Sequence, residues 1–220
     1  IAFLMHLSAG MMTGIVMFDL MPAALDTAKK SSENFHLLIA MAGLSLGIAF
    51  AFILDALFSF CNEEKSKTIS KKRLYSIGII TAVGISAHDL FEGIAIGSGF
   101  EVSEKLGISM AIVMLLHNIP EGLAMAAPLM AGGMKGYRAV ILSCMTGIPM
   151  AVGAVIGWLA GSISPAVISI CLAAAGGTML YISFCDMIPA ANSMYTGKTA
   201  NIGVILGVIL GIVIINLMGQ

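Results

Sequence analysis

Seven stretches of this chain, at about 1–25, 35–60, 74–100, 106–131, 138–160, 164–191 and 200–219, are almost wholly apolar. Each is long enough to cross the hydrocarbon core of a bilayer, which takes roughly 20 residues in a helix. Within lipid every backbone polar group needs an internal partner, so a run of this kind is read as a helix and not as open sheet or loop. The fold class follows as all-α, a polytopic membrane helix bundle, with residues 1–220 forming one transmembrane domain. Composition agrees: mean hydropathy is +1.01, 59% of residues are hydrophobic and 10% charged, against roughly 45–50% and 25% in soluble domains.

Where the few charges sit carries more information than their sum of −1. All eleven Lys and Arg fall between the apolar runs, whereas six of the twelve acids, Asp19, Asp55, Asp89, Glu92, Glu121 and Asp186, fall within the runs or at their ends. An intramembrane carboxylate costs on the order of 3 kcal/mol on insertion scales, so it needs a proton, water, a partner or a bound cation. No basic side chain lies at their depth. The connections at 61–73, 132–138 and 192–199 carry eight Lys and Arg and the alternate side three. The positive-inside rule then puts the 61–73 loop in the cytoplasm and the C-terminus outside.

An internal repeat orders the runs. Ser8 to Ala24 (SAGMMTGIVMFDLMPAA) aligns without gaps on Ala175 to Ala191 (AGGTMLYISFCDMIPAA), matching Gly10 with Gly177, Met12 with Met179, Asp19 with Asp186 and Pro22 with Pro189. The first copy is expected to run outward and the second inward, an inverted repeat of the kind on which many transporters are built. Two central helices, which carry the histidine motifs, lie between the copies, and one helix follows each copy. One more precedes the second copy and none here precedes the first, so a further N-terminal helix is expected, giving eight spans arranged three, two, three. Glycines at four-residue spacing (Gly153, Gly157, Gly161; Gly203, Gly207, Gly211; Gly43, Gly47) suit close helix contact.

The two central runs carry matched motifs. His88-Asp89-x-x-Glu92-Gly93 returns as His117-Asn118-x-x-Glu121-Gly122, twenty-nine residues on. At about 100° per residue, His and Glu four apart share a helix face, bordered by Asp89 or Asn118. A hairpin tip near Glu101 to Lys105 brings both motifs to one depth. Imidazole with carboxylate suits borderline divalent ions such as Zn²⁺, Fe²⁺ and Mn²⁺. Pro120, with no amide proton, would free a carbonyl beside its own motif. Asp19 and Asp186, close to the ends of their runs, would mark two mouths of one path. Asp55 reads as interfacial, His6 and His36 as structural or surface residues, and Cys61, Cys144, Cys171 and Cys185 as reduced apolar side chains, with Cys185 beside Asp186 the one soft ligand in reach.

HNIPEG at His117 to Gly122, preceded by HDLFEG at His88 to Gly93, resembles the paired metal-binding helices of the ZIP family of divalent-metal transporters. The likeness extends to the repeated SAGMMTGIVMFDLMPAA and AGGTMLYISFCDMIPAA segments, and the family's first helix has no counterpart in the chain. The resemblance implies uptake of zinc, cadmium, iron or manganese into the cytoplasm across the plasma membrane. The metal ion is the cargo and no catalytic cofactor is implied. His88, Asp89, Glu92, His117, Asn118 and Glu121 are the implied ligands, with Met12 a further one. Phe91 replaces a proline of the family motif, and Met150 stands where relatives commonly carry Glu. One tightly held ion with a weaker neighbouring site is therefore expected in place of a full two-metal site. The expected partners are the metal ion, lipid and a second copy of the chain, with no nucleic acid. The rival reading, a membrane-embedded metal-dependent hydrolase, lacks an HExxH pair and a nucleophile beside either motif.

Overall fold

Helices account for every regular element in the computed structural model, which describes residues 2–59, 70–160, 164–195 and 197–218. They are α1 (Ala2–Ile15), α2 (Met21–Ser31), α3 (His36–Ser59), α4 (Lys71–Val102), α5 (Glu104–Ala131), α6 (Gly136–Thr146), α7 (Ile148–Leu159), α8 (Pro165–Tyr181), α9 (Ile188–Met194) and α10 (Lys198–Met218). Two π-helical segments, Val16–Leu20 and Ile182–Met187, join α1 to α2 and α8 to α9 without a break. Five helical stretches among the described residues are long and apolar enough to cross a membrane: Ala2–Ser31, His36–Leu57, Lys71–Glu101, Gly136–Leu159 and Pro165–Met194. α5 is 28 residues long and α10 is 21. Most of the 61–73 loop lies outside the described residues.

Local chemistry sets the ends. Ser70 caps α4 by accepting from the Arg73 amide at 3.2 Å, and Pro165 opens α8, where its missing N–H costs nothing. α5 closes on Gly133, whose φ of 102° only glycine adopts freely. Its amide reaches the Met130 carbonyl while the Met134 amide reaches Leu129, each at 3.0 Å. α4 turns into α5 at Ser103 alone, whose amide bonds the Gly99 carbonyl and whose carbonyl accepts from Gly107, both at 3.0 Å. The expected hairpin tip is therefore where the motif spacing put it.

Prolines shape three helices. The run at 138–160 is not one straight helix, because Pro149 cannot donate to Met145 and its ring crowds that carbonyl, so the helix breaks at Gly147 between α6 and α7. In the repeated segment Pro22 and Pro189 act alike: the Met21 amide bonds back five residues to Val16, and the Ile188 amide to Ser183. A widened turn precedes each proline at the same place in both copies. Asp19 and Asp186 sit in those turns, which corrects the expectation that they lie close to helix ends. About three further helical turns follow Asp19 and two follow Asp186. The apolar run stops, but the helix goes on through Asp26 and Lys29, an ion pair at 3.1 Å.

Glycine contacts give the directions of packing. Gly10 and Gly14 face the backbone of Val204 and Val208, so α1 runs parallel to α10. Gly43 and Gly47 face Ile170 and Ala174, making α3 parallel to α8, and Gly93 and Gly97 face Met150 and Ala154, making α4 parallel to α7. Since α2 and α3 form a hairpin, α1 and α8 point opposite ways and the repeat is inverted. Each copy packs on the helix that follows the other copy. Two groups result, α1–α2–α3–α8–α9–α10 and α4–α5–α6–α7. Glycine meets backbone across the tight contacts within each group, whereas between them Gly84 meets only the side chains of Ile182 and Thr178. A Cβ on Gly97 would run into the Ala154 carbonyl, while one on Gly136 would meet only the end of Met130 at 3.8 Å. Gly97→Ala is expected to cost about 1–3 kcal/mol, lowering the melting temperature of the detergent-solubilised protein, and Gly136→Ala to leave it unchanged.

Candidate metal centre

The middle of α4 brings three potential ligands together. His88, Asp89 and Glu92 each offer a donor atom within 4.8 Å of the other two, and all three are buried. They share one side of the helix by their spacing, and that side turns inward because the opposite side, marked by Leu90, Ile94 and Gly97, presses on α7. α5 supplies the fourth group: Glu121 Oε1 lies 3.1 Å from His88 Nε2, and Asp89 Oδ1 lies 3.3 Å from the same nitrogen. His88, Glu92 and Glu121 are at most 1% exposed.

None of these contacts satisfies the groups. Both ring nitrogens of His88, Asp89 Oδ1 and both oxygens of Glu92 and of Glu121 are buried with no hydrogen-bond partner among the described residues. The Glu121 and Asp89 oxygens thus lie off the axis along which a ring N–H of His88 would donate. One imidazole and three carboxylates converge there with no hydrogen bond made between them, and the carboxylates when ionised form a concentrated negative field in a low-dielectric setting. A divalent cation is the species that answers it. The donor set fits a borderline ion, with two or more oxygens and one imidazole nitrogen available.

The remaining candidates are placed as follows. His117 lies on α5 one turn before Glu121, and its side chain is outside the described residues. Asn118 Nδ2 meets Met150 Sδ at 3.8 Å, while its Oδ1 is buried with no hydrogen-bond partner among the described residues. The thioether at position 150 thus adjoins the amide of the second motif. Met12 is fully buried in the apolar core on α1. Asp19 acts electrostatically on Glu92, so the first π segment borders the cluster, whereas Asp186 feels Asp55 and Arg73. Tyr181 donates to Asp55 Oδ2 at 3.1 Å, an α8–α3 contact that sequence reasoning did not foresee. His6 is structural: Nδ1 contacts the Ala2 carbonyl at 2.9 Å and Nε2 contacts Asn192 Oδ1 at 3.1 Å, tying α1 to α9. His36 is at the surface, with Nδ1 at 2.6 Å from the Glu33 carbonyl.

Comparison with known proteins points the same way as the geometry. The sequence model of a family described as ZIP zinc transporter matches residues 61–219. A zinc transporter ZupT from Chlorobium limicola is 30% identical over 230 aligned positions, covering 99% of this chain and 86% of that protein. Another zinc transporter ZupT, from Shigella flexneri serotype 5b, is 29% identical over 213 positions, covering 94% of this chain and 81% of its own.

Removing one of the unpartnered carboxylates has opposite consequences with and without metal. In chelator, Glu92→Gln is expected to be at least as stable as the parent protein, since an uncompensated buried charge is lost. Zinc at a hundredfold excess over its dissociation constant should stabilise the parent by about 2.7 kcal/mol. Thermal melts of the variant should show that gain largely absent.

Proposed function

Starting from a chain that belongs to the ZIP zinc transporter family, and so from an integral membrane transporter of divalent metal and not an enzyme, we propose that it carries zinc into the cytoplasm through the His88–Glu121 cluster. The observation that carries this reading is the set of buried, unpartnered nitrogen and oxygen atoms on α4 and α5. In this reading His88, Asp89, Glu92 and Glu121 hold the ion, with His117 and Asn118 completing its shell and Met12 offering a thioether from α1. Cadmium, iron and manganese are the other ions that such donors suit.

The ion enters past Asp19 and leaves past Asp186. Both carboxylates sit in widened turns, where the missing amides of Pro22 and Pro189 leave a carbonyl of the preceding turn short of a helical donor. Such carbonyls replace part of the ion's hydration shell as it passes. Alternating access follows from movement of the central group of helices, α4 to α7, against the group formed by the two repeat copies and their following helices. The side-chain contacts between Gly84 and Ile182 support a boundary that can slide, and the glycine-to-backbone contacts inside each group support two rigid pieces. The excess of Lys and Arg on the 61–73 side supports a cytoplasmic position for that loop.

Uptake of radioactive or fluorescently detected zinc into proteoliposomes tests the assignment. Glu121→Ala and His117→Ala are each expected to abolish saturable uptake while the protein remains folded, and undiminished uptake in either would remove that residue from the site. Because the ligands bind metal in deprotonated form, acidification from neutral to mildly acidic buffer should weaken zinc binding, as read by a titration isotherm. Met150→Glu returns a carboxylate beside Asn118, and the bound zinc measured by mass spectrometry of the metal should rise from one ion per chain toward two.

A further inference from the structure

Asn118 differs from the carboxylates of the metal centre in having two unlike ends. Its motif counterpart, Asp89, carries two like oxygens and presents one whichever way it turns, with Oδ1 at 3.3 Å from His88 Nε2. A carboxamide instead joins an oxygen acceptor to an NH2 donor of nearly the same size. Turned one way it offers a divalent cation a lone pair; turned the other way it offers protons that repel the ion. The neighbour of the amide decides which.

That neighbour is Met150. Pro149 breaks the apolar run at Gly147, so α7 starts anew at Ile148 and Met150 falls in its first turn. On α4, Gly93 directly follows Glu92, and a Cβ on it would run into the Met150 carbonyl. The backbone at 150 therefore lies against the helix that carries the cluster. From there the side chain crosses to α5 and its sulfur meets Asn118 Nδ2 at 3.8 Å. A thioether has lone pairs and no proton to give, so it accepts from the NH2 end and disfavours the oxygen. Asn118 Oδ1 is left on the far side of the amide, buried and with no hydrogen-bond partner among the described residues. Both oxygens of Glu121, about one turn further along α5, are in the same state. The nearby hydroxyls of α6 are engaged elsewhere, Ser143 with the Gly122 carbonyl at 3.5 Å and Thr146 with the Ser143 carbonyl at 2.7 Å.

We propose that the Met150 sulfur fixes the Asn118 amide with its oxygen toward the ion, which makes Met150 a positioning residue of the metal centre and not one of its ligands. The sulfur is turned to the NH2 group, and the amide stands between it and the ion. Being neutral, the thioether orients the amide without adding to the negative charge already gathered on Asp89, Glu92 and Glu121. The proposal rests on Asn118 belonging to the shell of the transported ion.

The test titrates the purified chain in detergent with zinc and with cadmium. Met150→Leu keeps the apolar volume and removes the acceptor. It should melt as the parent does in chelator and bind both ions about fivefold more weakly. In an Asn118→Asp background, where both ends of the side chain are oxygen, adding Met150→Leu should change neither affinity by more than about 1.5-fold. Parent-like binding by Met150→Leu would overturn the proposal. So would an equal loss with and without Asn118→Asp, which marks Met150 as general packing, and so would a loss confined to cadmium, the softer ion, which marks the sulfur as a ligand. Asn118→Ala separates the proposal from the reading beneath it. If that variant binds zinc as the parent does, Asn118 lies outside the shell and the site assignment fails too; if it weakens binding while Met150→Leu does not, the orienting role alone fails.

Discussion

Carboxylates with no Lys or Arg partner among the described residues, held in the middle of an apolar bundle, are the constraint to which the rest of this structure answers. Asp89, Glu92 and Glu121 share one imidazole between them, and most of their donor atoms lack any hydrogen bond among the described residues. Protein interiors ordinarily pair such groups or leave them out. A bundle that keeps them must hide them from lipid and hold their oxygens close enough together for one cation to neutralise several. α4, pressed between α5, α7 and α8, does both.

The close approach of helices that this requires comes from glycine. In each tight parallel pair, α1 with α10, α3 with α8 and α4 with α7, glycine on one helix meets backbone of the other. A methyl group at those positions would push the helices apart and open the ligand face. The same contacts divide the bundle into two firm pieces whose mutual boundary is made of side chains. The cluster lies on the α4–α5 piece, and Asp19, on the other, acts on Glu92 by its field.

Symmetry explains much of the architecture, and its breaches are informative. The two copies of the repeat keep the aspartate, the proline and the widened turn between them, down to the same amide bonding five residues back. Around that shared frame the side chains diverge: Ser183 against Val16, Thr81 against Met110, Asp89 against Asn118. An inverted repeat makes the two sides of a membrane protein equivalent in backbone, so direction has to be written in side chains.

Much of this was legible in the chain alone. Apolar runs of spanning length imply helices because lipid leaves the backbone no alternative, and two His/Glu motifs at four-residue spacing imply two ligand faces because helical geometry is rigid over one turn. The single-residue turn at Ser103 lay inside the span the motif spacing marked out. The rest depended on features the hydropathy of a run does not encode. Asp19 and Asp186 looked terminal because apolarity stops near them, yet the helices continue through polar residues; the prolines at 22 and 189 were the signal for the widened turns. Asp89 was a candidate ligand from its place in the motif, and its meeting with His88 and Glu92 on one inward side depends on a helix that packs on α7 and α5 at once. Thr81 and Ser183 are ordinary residues in sequence, and it is the tertiary structure that buries their hydroxyls with no hydrogen-bond partner among the described residues. Local chemistry determined which groups are available and on which face, and tertiary packing decided which of them meet, since distances between helices are set by contacts far apart in the chain.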